Sequence, residues 1–142
     1  MRTISQNFLP GFFLSVNVIT ALVISVLFTG CEKNDLVAIT SLVTIEPSFR
    51  GTVVVSGGRL TANKEIELLD YGVCYSTRDN PSIEDNVAPG QDLELSMEQS
   101  RFSAEYSSQL SPLSSGTTYY LKAFITTKSG TAYGNQLTYT YK

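Results

Sequence analysis

The polar and apolar positions divide the chain into two unlike parts. Residues 8–30, "FLPGFFLSVNVITALVISVLFTG", contain no charged side chain, and only Arg2 precedes them. From about residue 37 the pattern shortens. Runs rich in Val, Ile, Thr, Tyr and Phe alternate with clusters of Gly, Pro, Ser and Asn, a rhythm of period two rather than 3.6. It predicts strands over 38–46, 51–57, 66–76, 92–97, 101–107, 117–127 and 131–141. The connections are "EPSFRG", "SGGRLTANK", "TRDNPSIEDNVAPG", "SSQLSPLSSG" and "KSG". No segment carries four turns of amphipathic helix. Seven short strands over residues 38–142 predict an all-β domain, an immunoglobulin-like or fibronectin type III-like sandwich. "TVVV", residues 52–55, reads as a buried strand. In the last third, Leu121, Ala123 and Ile125 are expected inward and Tyr120, Lys122, Phe124 and Thr126 outward. "KSG" supplies a tight turn in which Gly130 can take positive φ.

The apolar run ends abruptly in "TGCEKND". A basic start, an uncharged stretch and small residues before a break form the layout of an export signal. The cysteine directly after Thr29-Gly30 makes it resemble a bacterial lipoprotein signal. That resemblance implies cleavage between Gly30 and Cys31 and lipidation of Cys31. The domains are then a signal peptide over 1–30, a short tether over 31–37 and the sandwich over 38–142. The run is also long enough to span a bilayer, which takes roughly 20 residues. An uncleaved N-terminal anchor and a plain secreted product therefore stand beside the lipoprotein reading. A lipidated Cys31 would hold the domain at the membrane essentially permanently, since each buried methylene contributes roughly 0.8 kcal/mol. The expected location is the outer membrane, with the domain exposed outside the cytoplasm.

Charge and residue inventory narrow the functions. All 13 acidic residues and nine of the ten basic ones follow residue 31, leaving 9 − 13 = −4 after removal of the first 30. Such a domain repels a phosphate backbone, so no nucleic-acid partner is expected. Histidine is absent, which removes the commonest general base and metal ligand together. No cofactor and no catalysis are expected. Cys31 and Cys74 are the two cysteines. They could pair in an oxidising compartment, but a lipidated Cys31 would leave Cys74 alone. Cys74 itself reads as a small packing residue between inward-facing Val73 and Tyr75.

Three groups are candidates for further roles. Leu113, Gly116 and Tyr119 in "LSSGTTYYLKAF" have the spacing of a tyrosine corner, in which the ring closes one end of a sandwich and the hydroxyl bonds backbone upstream. Asp79, Glu84 and Asp85 in "RDNPSIEDN" carry the oxygens calcium uses, but not the spacing of a known loop, so they are a weak calcium candidate and a solvated loop is the plainer reading. Tyr120, Lys122 and Phe124, with Tyr133 and Asn135 on the next strand, form a candidate partner surface, since exposed rings stack on sugars and anchor protein interfaces. Ordinary cross-strand pairing accounts for the same residues.

"GVCYSTRDNPSI", "GTTYYLKAF" and "SGTAYGNQLTYT" together resemble fibronectin type III-like domains of Bacteroidota surface lipoproteins. The resemblance implies a non-enzymatic module for adhesion, interaction or display, with an unknown protein or glycan partner. A glycan-binding accessory role in polysaccharide uptake and a polymerising surface subunit are the alternatives. Lys142 directly follows the last predicted strand, so the sandwich is expected to do the work of this chain.

Overall fold

The computed structural model describes Asn34–Lys142. The expected signal peptide and Cys31 lie outside the described residues. Of Asn34 to Val37, assigned to the tether by sequence, Asp35 and Leu36 are half-buried and Val37 is 77% exposed. They enter a single helical turn, α1 (Asp35–Ala38), capped by Asn34 Oδ1, which accepts the Leu36 amide at 3.1 Å. Lys64 Nζ meets Asp35 Oδ1 at 2.9 Å, and the Asp35 amide donates to Ser129 Oγ at 3.0 Å. Ala38 is buried.

Everything after α1 is antiparallel β. The strands are β1 (Ile39–Arg50), β2 (Val53–Ala62), β3 (Asp70–Ser76), β4 (Asn86–Glu98), β5 (Arg101–Leu110), β6 (Thr118–Thr127), β7 (Gly130–Tyr133) and β8 (Leu137–Thr140). They follow the order β1-β2-β5-β4-β3-β6-β7, with β8 pairing the first half of β6. β4 makes the path continuous. Asn86–Pro89 pair with β3, and from Gly90 onward the strand pairs with β5 instead. The two ends of the path curl towards each other at Thr44, a buried residue of β1 whose Oγ1 accepts the Ala123 amide of β6 at 2.9 Å.

The all-β expectation stands, with eight strands where seven were predicted. β1 runs on through "EPSF" to Arg50, β3 starts only at Asp70 and β5 continues to Leu110, against the predicted 38–46, 66–76 and 101–107. Three further elements differ more deeply. The predicted strand over 131–141 is two, because Gly134–Gln136 leave the ladder: the Gly134 amide bonds Ala123 O at 2.8 Å, while Asn135 turns to β1. Asn135 Oδ1 accepts the Thr44 amide at 2.9 Å and Asn135 O accepts the Thr44 hydroxyl at 2.5 Å. A Cβ on Gly134 would lie 2.7 Å from Thr44 Oγ1, so the crossing needs a glycine. The predicted strand over 51–57 runs on through "SGGRLTA" to Ala62. The pair Gly57-Gly58 signals a loop in sequence, yet it marks close approach inside a strand. A Cβ at Gly58 would sit 2.3 Å from Tyr106 Oη, and one at Gly57 would sit 2.1 Å from Tyr106 O. β4 begins in what read as a loop and reaches Glu98. Of "TVVV", only Val54 is fully buried, whereas Val53 and Val55 face the other side and are half-exposed.

Two clusters fill the interior. Leu60, Ala62, Ile66, Phe102, Ala104, Ala123 and Ile125 surround Tyr106, and Val54, Val73, Ala88, Leu110 and Leu121 surround Tyr75 and Tyr119. The chain has no tryptophan. Tyr106 serves as the large central ring, contributing roughly 1.5–3 kcal/mol by burial. Its hydroxyl crosses the interior from β5 to Phe124 O of β6 at 2.8 Å and Gly72 O of β3 at 3.1 Å. The ring packs on Tyr71 with centroids 5.1 Å apart.

Candidate interaction surface

The outward face of β6 carries Tyr120, Lys122 and Phe124 as the alternation predicted. Beside them on β3 stand Ser76, Cys74 and Gly72, their Cα partners. This face is partly covered. Residues 77–85 are tied across it: the Asn80 amide donates to Gln136 Oε1 at 2.8 Å, and Gln136 Nε2 donates to Asp79 Oδ1 at 2.7 Å. Lys122 Nζ donates to Asn80 Oδ1, and the Ile83 amide donates to the Tyr133 hydroxyl at 3.3 Å. Pro81 is fully buried, and Phe124 is only 1% exposed. The central ring of the expected partner surface is therefore closed to a ligand. Lys122 is held by the loop and lies 5.8 Å from the Tyr133 ring centroid, and Asn135 is committed to β1. Tyr120 and Lys122 are half-buried, and Tyr133 and Asn135 stay exposed. Sequence alternation gives the direction of these side chains but not the loop that returns over them.

The acidic loop is likewise occupied by its own donors. Asp85 accepts the Ser82 amide at 3.0 Å and Arg78 Nη2 at 3.2 Å. The Ser82 amide, helped by Arg78, holds its carboxyl below the usual carboxylate range. Asp79 faces Gln136, and Glu84 lies on the exposed turn. Among the described residues, no three His, Cys, Asp or Glu side chains come together in a group that could hold a metal ion.

Cys74 is a free thiol with no exposed surface. Burial pushes it up to about 11, the direction opposite to that of a reactive thiolate, and its Sγ donates weakly to Lys122 O at 3.4 Å. The tyrosine-corner residues are brought together. The Tyr119 hydroxyl accepts the Ser114 amide at 3.0 Å, Gly116 has φ +77°, and Leu113 packs half-buried on the same cluster. Tyr75 adds a second tie, donating to Ser111 O at 2.8 Å with its ring edge-on to Tyr119.

Sequence reasoning did not single out the far half of β4. The strand changes partner from β3 to β5 after Pro89, and a bulge between Gln91 and Glu94, with Asp92 at φ +51°, interrupts the part paired to β5. Leu95 and Met97 lie opposite Ala104 and Phe102, both buried, and so belong to the inner face. They are nevertheless 59% and 54% exposed. The strand ends in a two-residue hairpin, Gln99-Ser100, both at positive φ. Beside it, on the outer face, Arg59 Nε meets Glu105 Oε2 at 2.7 Å. An open groove of about 420 Å³ beside the β4 bulge is lined by Arg50, Asp92, Glu94 and Glu105 among others. The alternation "LELSME" was legible in the chain. That its apolar side would lack a cover depends on where β3 leaves β4.

No protein-family model, curated protein or solved structure matches the chain.

Proposed function

We propose that this protein is a lipid-anchored, non-enzymatic surface module that works by binding another protein, on a fibronectin type III-like sandwich. The observation that carries the binding role is the far half of β4: two large apolar side chains of the inner face stand exposed on an edge strand. Monomeric domains ordinarily blunt or cover such an edge. The strand order supports the sandwich reading. β1-β2-β5-β4 correspond to the ABED sheet, and β3-β6 with β7 and β8 to the CFG sheet, while β4 joins both through its first half. The Tyr119 corner supports it further. The non-enzymatic reading rests on how the reactive groups are used: Cys74 and Tyr106 are buried with raised pKa values, and Asp79 and Asp85 are engaged by Gln136 and Arg78.

The anchor rests on the uncharged run of residues 8–30 and on Cys31 after Thr29-Gly30. Palmitate labelling of the wild type and of Cys31→Ser, with proteolysis of intact cells, tests it. Label confined to the wild type and cleavage of the domain from outside are expected. An unprocessed amino terminus with unmodified Cys31 would overturn the anchor. Burial of Phe124 weighs against the glycan-binding alternative. Glycan-array binding lost on Tyr120→Ala or Tyr133→Ala would restore it.

A further inference from the structure

We infer that the open edge of β4 over Leu93–Glu98 receives an extended segment of a partner protein, one that alternates apolar and basic residues and adds to the sheet as a further strand. The inference rests on the binding role proposed above and names the partner's chemistry.

The backbone sets the docking mode. Glu98 and Arg101 flank the two-residue turn and form its closing hydrogen-bonded pair. By alternation Ser96 with Ser103 and Glu94 with Glu105 are the next such pairs. Leu95 and Met97 therefore turn their N–H and C=O groups away from β5. β3 pairs β4 only as far as Pro89, and among the described residues no backbone hydrogen bond reaches that side from another element. An added strand would complete these groups by the ladder pairing that strand-addition complexes use.

The side chains set the partner's pattern. On the inner face Leu95 and Met97 continue the cluster that holds Phe102 and half-buried Leu93. Apolar residues at alternate positions of an added strand would land beside them. On the outer face the strand presents Glu94, Ser96 and Glu98, and β4 as a whole contains Asp92, Glu94 and Glu98 with no lysine or arginine. A second β4 laid antiparallel edge to edge in full overlap, Leu95 beside Met97, would oppose Glu94 to Glu98 twice, which destabilises cross-strand pairs. Lysine or arginine between the apolar positions of a partner would meet opposite charge instead. Charge complementarity thus selects a basic partner over another copy of the chain.

The test uses the full chain in detergent micelles and two labelled octapeptides, one alternating valine with lysine and one alternating valine with glutamate. Binding is read by fluorescence anisotropy, and docking by amide exchange at Leu95 and Met97. The lysine peptide is expected to bind about fivefold or more tightly than the glutamate peptide, to slow exchange at both amides, and to lose its advantage as salt rises. Met97→Pro removes a donor from the open side alone and should abolish docking. Glu94→Lys combined with Glu98→Lys should reverse the preference and keeps the test valid if the proline variant does not fold. Equal binding of both peptides, or preference for glutamate, would overturn the partner chemistry and leave edge docking standing. Neither peptide binding, with exchange unchanged, would overturn both. Dimers of the chain itself that Met97→Pro dissolves would make the occupant a second copy and overturn the inference.

Discussion

Tyr106→Phe removes one oxygen atom from the centre of the domain and leaves the ring in place. The hydroxyl is buried and reaches two carbonyls on opposing strands, Phe124 O at 2.8 Å and Gly72 O at 3.1 Å. It has one proton, so the loss amounts to a single shared hydrogen bond, about 1–1.5 kcal/mol. For a domain of about 110 residues, unfolding entropy near 0.23 kcal/mol/K converts this to a fall in melting temperature of about 4–7 °C. Urea unfolding followed by far-ultraviolet circular dichroism and by tyrosine fluorescence should show the same loss with an unchanged slope, since the surface exposed on unfolding is unaltered. A shift below about 1 °C would refute the view that this hydroxyl ties the two halves of the fold together. The tie would then be the ring's packing alone.

Three further outcomes follow from the same interior. Gly58→Ala would place a Cβ 2.3 Å from Tyr106 Oη and 2.9 Å from the Ala123 Cβ. It should cost about 2–3 kcal/mol, and combining it with Tyr106→Ala should cost well under the sum in a double-mutant cycle. Ser108 is fully buried and its Oγ has no hydrogen-bond partner, so Ser108→Ala should raise stability by about 1 kcal/mol in urea titrations. A clear loss would mean that the hydroxyl is satisfied. Cys74 stays protonated in the folded state to about 11, against a reference of 9.0 in the unfolded chain. The unfolded chain releases its proton first, so this contribution is whole below pH 9.0 and is lost as pH rises through about 11, to the extent of about 2–3 kcal/mol. Cys74→Ala should flatten the fall in urea midpoint between those pH values. Tyr75 and Tyr106, both raised by burial, extend the decline above pH 10 in either protein.

How much could be read in advance differs between elements. Local pattern carried the β class, because alternation such as Leu121, Ala123 and Ile125 against Tyr120, Lys122 and Phe124 depends only on the pleat. The spacing of Leu113, Gly116 and Tyr119 placed a tyrosine whose hydroxyl does bond the backbone five residues upstream. Local pattern failed where a residue served a distant neighbour. Gly57 and Gly58 looked like a turn, although they clear space for Tyr106 of β5. Asn135 looked like part of an aromatic surface, although it bonds Thr44 of β1.

By itself the sequence determined an uncharged run over residues 8–30 just before a cysteine, an acidic β domain after it, and the inward side of most strands. Each follows from composition or from a period of two along the chain. Which faces remain open to a partner was decided only by the tertiary structure. Residues 77–85 return to bond Lys122, Tyr133 and Gln136, and Phe124, which alternation alone would leave exposed, is buried. β3 parts from β4 at Pro89 and leaves Leu95 and Met97 uncovered. Exposure depends on which segments, far apart in the chain, come to lie on one another, and no local pattern contains that.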